Sequence, residues 1–152
     1  MKTIIIAGAG SNVGKTTILR SLKSFFPNHI SVKLGKIEVP DKSKAELLLP
    51  SNYSLEQIRD AIGQKPEYLL IEGNSILKRY EPDLAIFVDG EPEKKREDAQ
   101  ELKEKCHLVV GGKIDCQKAF ALARNIGLER SKFGELLNNI KIKIKACQLG
   151  CF

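Results

Sequence analysis

A three-layer α/β fold around a mostly parallel sheet, with a small C-terminal helical and strand extension, is the architecture this 152-residue sequence predicts. Three observations carry it. The apolar run Thr3-Ile4-Ile5-Ile6-Ala7 leads into a glycine-rich turn, residues 8–14, and then into a helical pattern. Residues 68–71 and 84–88 are continuous apolar runs, as expected of strands buried on both faces of a sheet. Strand and helix patterns alternate along the chain, which implies parallel βαβ units with right-handed crossovers.

The elements follow in order. The first strand is the β-branched run before Gly8, and the first helix spans residues 14–25, with Ile18, Leu22, Phe25 and Phe26 on one face. Pro27-Asn28 stops it. Residues 29–34 alternate polar and apolar as a second strand. Residues 35–54 are the least regular stretch, a surface excursion with a short helix over residues 44–49. Ser54 with Gln57 three positions later is a capping-box pattern, so a helix follows over residues 55–62. The third strand, residues 68–71, lies between Pro66 and Gly73, and the fourth, residues 84–88, ends at Asp89-Gly90. Residues 93–105 carry enough opposite charge for a surface helix with i,i+4 pairs. A fifth strand over residues 108–110 ends at Gly111-Gly112. Two helices then flank Gly127-Leu128, the second over residues 129–137. Their spacing also fits a helix-turn-helix, but a pair closing the α/β core is the expectation for a domain of this size. The strict Ile/Lys alternation of residues 140–145 reads as an edge strand with lysines outward. The core is therefore assigned to residues 1–115, with residues 116–152 as an extension of the same domain.

The turn at residues 9–16 reads Ala-Gly-Ser-Asn-Val-Gly-Lys-Thr, in the strand–turn–helix setting that a phosphate-binding P-loop requires. The first glycine of the strict pattern is replaced by Ala9, with Gly8 and Gly10 on either side. Gly8, Gly10 and Gly14 are expected to take backbone angles other residues resist and to turn N–H groups toward an anion. Gly10, Ser11, Asn12, Val13, Gly14, Lys15, Thr16 and Thr17 are the candidate nucleotide-binding residues. Lys15 would reach the β/γ-phosphates, the Thr16 hydroxyl would hold Mg²⁺, and the phosphates would sit on the positive end of the first helix. The fold class thereby sharpens to a three-layer P-loop NTPase. In a parallel sheet ligands bind at the carboxyl ends of the strands, which places Glu72, Asp89 and residues 113–115 on the same edge as the loop. Glu72, followed by Gly73, is the candidate second Mg²⁺ ligand; a capping carboxylate in a tight turn is its alternative role. Asp41 or Glu38 is the candidate for orienting an attacking water. No arginine finger is identifiable, so intrinsic turnover should be slow.

Composition excludes several classes. Apolar residues are 42% and charged residues 29%, ordinary for a globular protein. There is no run of about 18 apolar residues and no signal-peptide pattern, so a cytoplasmic protein without membrane contact is expected. The net charge of +6 comes from scattered lysines rather than a stripe interleaved with aromatics. Nucleic acid is thus not the expected partner.

The pairing of residues 8–17 with Leu70-Ile71-Glu72-Gly73 resembles the branch of P-loop proteins that holds dethiobiotin synthetase, cobyrinic acid synthetase and the molybdopterin-guanine dinucleotide biosynthesis adaptor protein B. The resemblance covers about the first 115 residues and rests on those two motifs. It implies binding of Mg²⁺ with ATP or GTP through Gly10, Gly14, Lys15, Thr16 and Thr17, with Glu72 on the metal side. It also implies a role beside a cofactor-biosynthesis protein partner in molybdenum cofactor assembly. The related partition and nitrogenase ATPases carry a second lysine where Gly10 stands, which disfavours them. The two synthetases are longer than this chain, and the histidine- and aspartate-rich stretch of the adaptor is replaced by residues 34–38. A small-molecule kinase or ligase, or a nucleotide- or metal-responsive regulatory module, remain the alternatives.

Two further segments invite chemistry. Leu108-Val109-Val110-Gly111-Gly112-Lys113-Ile114-Asp115 resembles the strand and Asn-Lys-x-Asp motif with which GTPases recognise guanine, with Gly112 in place of the Asn. Asp115 as the N-cap of the next helix is the equal alternative. Of the four cysteines, Cys106 is expected to be a small core residue, and Cys116 opens the first C-terminal helix. Cys147 and Cys151 are spaced for a soft metal, an iron–sulfur cluster or a redox pair. Such a site needs about four ligands, so a homodimer pooling both cysteines from each chain is its sharpest form.

Overall fold

The computed structural model describes residues 1–38, 40–41, 47–94 and 96–145. The first strand, β1 (Lys2–Gly8), delivers the chain to the glycine loop, and α1 (Lys15–Leu22) follows, closed by a 3-10 turn at Lys23–Phe25. Next come β2 (His29–Gly35), β3 (Leu47–Pro50), α2 (Leu55–Ile62) and β4 (Tyr68–Glu72). A short α3 (Asn74–Leu77) separates β4 from β5 (Leu84–Val88), and α4 (Ala99–Glu104) leads to β6 (Leu108–Val109). The chain continues through β7 (Lys113–Asp115), α5 (Cys116–Ile126), α6 (Arg130–Asn139) and β8 (Lys143–Lys145).

Among the described residues the main sheet has six strands in the order β3-β2-β4-β1-β5-β6, every neighbouring pair parallel. The expected α/β class is thus present. β1 lies inside the sheet, and Ile4, Ile5 and Ile6 are fully buried, each contributing about 1.5–3 kcal/mol of burial. Alternation splits the core in two. Ile4, Ile6, Leu70 and Ile86 pack with Leu19 and Leu22 of α1, Ala119 and Ala123 of α5, and Phe133, Leu136 and Leu137 of α6. Ile5, Ala7, Leu69 and Ile71 pack on the opposite side with Ile58 of α2, Ile76 and Leu77 of α3, and Leu102 of α4. Helices on both faces give the three layers. The C-terminal helices turn their apolar side to the sheet, the arrangement of a pair that closes the core.

Several elements differ from expectation. Residues 47–49 belong to strand β3 instead of a helix, and the rest of that expected helix lies outside the described residues. The charged segment after β5 becomes helical only at Ala99, because the Arg96 N–H donates to Ala9 O at 3.0 Å instead of entering a helix. The Ile/Lys alternation yields only Lys143–Lys145 as strand, and this pairs in parallel with β7 in a separate two-stranded sheet. Ile140 and Ile142 are instead buried beneath it. The capping box at Ser54 is present: the Ser54 side chain accepts from Gln57 N–H at 3.2 Å, and the Ser54 N–H donates to Gln57 Oε1 at 2.8 Å.

Candidate functional site

The glycine loop is built by steric necessity at some positions and backbone angle at another. Gly14 has φ of 95°, the left-handed region, where a side chain would be strained. Gly8 and Gly10 do not share that conformation, so the expectation of unusual angles holds only at Gly14. They are glycine for lack of room. A Cβ at Gly8 would stand 2.9 Å from Val13 Cγ2 and 3.0 Å from Val88 O, and one at Gly10 would strike Lys94 O and Pro92. Pro92 and Lys94 therefore lie against the loop, and the Arg96 N–H donates to Ala9 O.

The loop is held from below by a residue the sequence did not single out. The Asn74 side-chain amide donates to Gly8 O and accepts from Gly8 N–H, both at 2.9 Å. One amide thus occupies both backbone groups of the last β1 residue. It fixes the start of the loop against the end of β4, since α3 begins right after Gly73. Gly73 itself is close-packed: a Cβ there would lie 2.9 Å from Leu34 Cβ, a side chain of β2.

Thr16 and Glu72 meet in the fold. The Thr16 hydroxyl donates to Glu72 Oε2 at 2.7 Å, although the two are 56 positions apart. Glu72 is 5% exposed, a buried carboxylate that needs cationic or hydrogen-bonding partners. Lys33 supplies one: its Nζ is 3.4 Å from Glu72 Oε1 and donates to Thr16 Oγ1 at 3.1 Å. Lys15 folds back, its Nζ donating to Gly10 O within its own loop. Burial pushes the Lys15 ammonium below its ordinary pKa; Glu72 opposes that shift, and Lys33 and Arg96 reinforce it. Arg96 is engaged in a bidentate pair with Asp98, at 2.7 and 2.8 Å. Two ammonium groups, Lys33 and Lys15, thus act on one buried carboxylate, while the Arg96 guanidinium is held by Asp98.

The donor set fits a hard cation carried by phosphate. A hydroxyl and one carboxylate are the protein oxygens Mg²⁺ commonly takes, its other positions being filled by water and phosphate oxygens. The first turn of α1 has no acidic residue and no side-chain cap, so its N–H groups face the same edge without a competing side chain.

The remaining candidates are placed as follows. Ser11, Asn12 and Thr17 are exposed and Val13 is half-buried. Asp41 pairs through its backbone with Leu48 of β3, both hydrogen bonds at 2.9 Å, at the sheet edge three strand positions from β1. Lys113 and Asp115 stand on β7, whose partner is β8; Asp115 meets Lys145 Nζ at 3.5 Å and precedes α5 without a side-chain cap bond. Cys106 is half-buried against the core and burial pushes its thiol up to about 12. Cys147 and Cys151 lie outside the described residues. Among the described residues no group of three or more His, Cys, Asp or Glu side chains is placed to hold a metal, and no helix is long and apolar enough to cross a membrane.

Sequence reasoning missed Asn74, Lys33 and Arg96. Asn74 carries one faint signal, its place directly after Glu72-Gly73. Lys33 reaches the site through strand register, which no local pattern encodes.

No protein-family model matches the chain, and no curated protein matches it either. Among solved structures the chain is similar to the crystal structure of hydrogenase maturation factor HypB from Archaeoglobus fulgidus, at 20% identity over 94% of this chain and 77% of that one, with a TM-score of 0.41. A likeness at that level identifies neither family nor activity.

Proposed function

We propose that the protein binds a Mg²⁺–nucleoside triphosphate, ATP or GTP, in the glycine loop and hydrolyses it slowly. The observation that carries this reading is the convergence of Thr16, Glu72 and Lys15 at the N-terminus of α1. Loop amides and the α1 terminus would receive the phosphates. Lys15 would exchange Gly10 O for a β/γ-phosphate oxygen, and a half-buried ammonium gains more from a charged partner than from a carbonyl. Thr16 and Glu72 would hold the Mg²⁺, which when bound neutralises charge on the phosphate oxygens. Catalysis of this kind is positional and electrostatic, and with no arginine finger identifiable in the sequence its turnover is slow.

The service we propose for this activity is metal-cofactor biosynthesis of the molybdopterin-guanine dinucleotide type, alongside a protein partner. It rests on the resemblance of residues 8–17 and 70–73 to that branch. Purification without added nucleotide, followed by mass spectrometry of the small molecules released on denaturation, tests the binding step. The expected result is a nucleotide in wild type that is absent from Lys15→Ala. Retention of the same nucleotide by Lys15→Ala would remove Lys15 and the loop from the account.

A further inference from the structure

We propose that Lys33 is the resident cation of the metal position, holding Thr16 and Glu72 in the free protein so that a divalent ion enters only together with a nucleotide. The last clause rests on the nucleotide reading above; the first stands on geometry alone. In the β2–β4 register Lys33 is the direct partner of Glu72. Paired residues on neighbouring parallel strands point to the same face, and here that face is the one covered by α1, which brings Thr16. The three groups are therefore assembled by the backbone. The ammonium touches both oxygens that would bind Mg²⁺, at 3.1 Å to Thr16 Oγ1 and 3.4 Å to Glu72 Oε1. An ion at those oxygens and the ammonium exclude each other.

Exposure decides which partner moves. The Glu72 side chain is 6% exposed and cannot turn to water, whereas the Lys33 side chain is 44% exposed and can swing outward. Without Lys33, Glu72 would keep only the Thr16 hydroxyl and the Coulombic pull of Lys15 to balance its buried charge, so a cation is favoured there. Free metal must displace Lys33 into solvent and settle beside the cationic Lys15, so its gain at Thr16 and Glu72 is offset by the loss of the ammonium's contacts. A nucleotide changes that balance, because its phosphates offer the displaced ammonium a new anionic partner. Nucleotide and metal affinities are then coupled, each raising the other by the same factor.

Mn²⁺, followed by its paramagnetic resonance signal in nucleotide-free protein, reads the first clause directly. Wild type should bind Mn²⁺ weakly, and Lys33→Met and Lys33→Gln should each show one site per chain, about tenfold tighter or more. Lys33→Arg, which keeps the charge, should behave as wild type. Adding Glu72→Gln to Lys33→Met should abolish the new site. Equal Mn²⁺ affinity in wild type and both neutral variants would overturn the proposal, as would a new site indifferent to Glu72→Gln. Repeating the titration with a non-hydrolysable ATP or GTP analogue tests the coupling: Mn²⁺ affinity should rise in wild type and change less in Lys33→Met. If no analogue binds wild type, the nucleotide reading fails, while the nucleotide-free comparison still decides whether Lys33 guards the site.

Discussion

Asn74 closes a bidentate contact on Gly8 with no redundancy, since the one amide serves both backbone groups. Asn74→Ala should leave two half-buried backbone groups unsatisfied, costing about 1–2 kcal/mol and loosening the loop. The check is a lower urea midpoint together with weaker nucleotide binding. Asn74→Asp keeps the acceptor but loses the donor, so it should fall between. Thr3 presents the opposite case. Its Oγ1 is, among the described residues, a fully buried side-chain oxygen with no hydrogen-bond partner. Val has the same shape without the hydroxyl, so Thr3→Val should stabilise the protein by about 1 kcal/mol, read as a higher urea midpoint at unchanged slope. At this scale Lys15, Thr16 and Glu72 stood out in the sequence because Lys15 and Thr16 follow a glycine-rich turn into α1 and Glu72 ends β4. Asn74 and Lys33 were not, because a polar residue on a strand or a turn looks the same whether it faces water or a neighbour.

At the scale of elements, β5 and β6 are joined through His107. The Ala85 backbone N–H donates to His107 Nδ1 at 2.9 Å and the His107 backbone N–H donates to Ala85 O at 3.0 Å. An imidazole that accepts there must be neutral at Nδ1. Burial accordingly lowers His107 below its ordinary 6.5, with Glu81 opposing. The native state therefore binds fewer protons than the unfolded chain as pH falls through 6.5, so stability present above that pH is lost toward the lowered native value. Denaturant midpoints at pH 7.5 and 5.5 should differ more in wild type than in His107→Ala. Equal pH dependence in the two would contradict this placement of the proton. Elements with a local cause were readable in advance: the capping box set the start of α2, and the buried apolar runs gave β4 and β5. The start of α4 and the pairing of β7 with β8 were not, since Arg96 is drawn to Ala9 and Lys143 to Lys113 by contacts distant in sequence.

For the whole molecule, the parallel sheet and its two buried faces follow from composition and alternation, but strand order does not. Nothing local tells β1 to lie between β4 and β5, yet that order brings Glu72 to Thr16 and Asn74 to Gly8. The site is a product of the crossovers, which bring Thr16 and Lys33 to Glu72. Calorimetric titration with ATP and GTP, each with Mg²⁺ and with a chelator, tests the central claim most directly. The account predicts binding of at least one nucleotide at one site per chain, weakened by the chelator and by Lys15→Ala by about 10- to 100-fold, the worth of one charge-assisted contact. Absence of binding to either nucleotide, or binding that Lys15→Ala leaves intact, would contradict it.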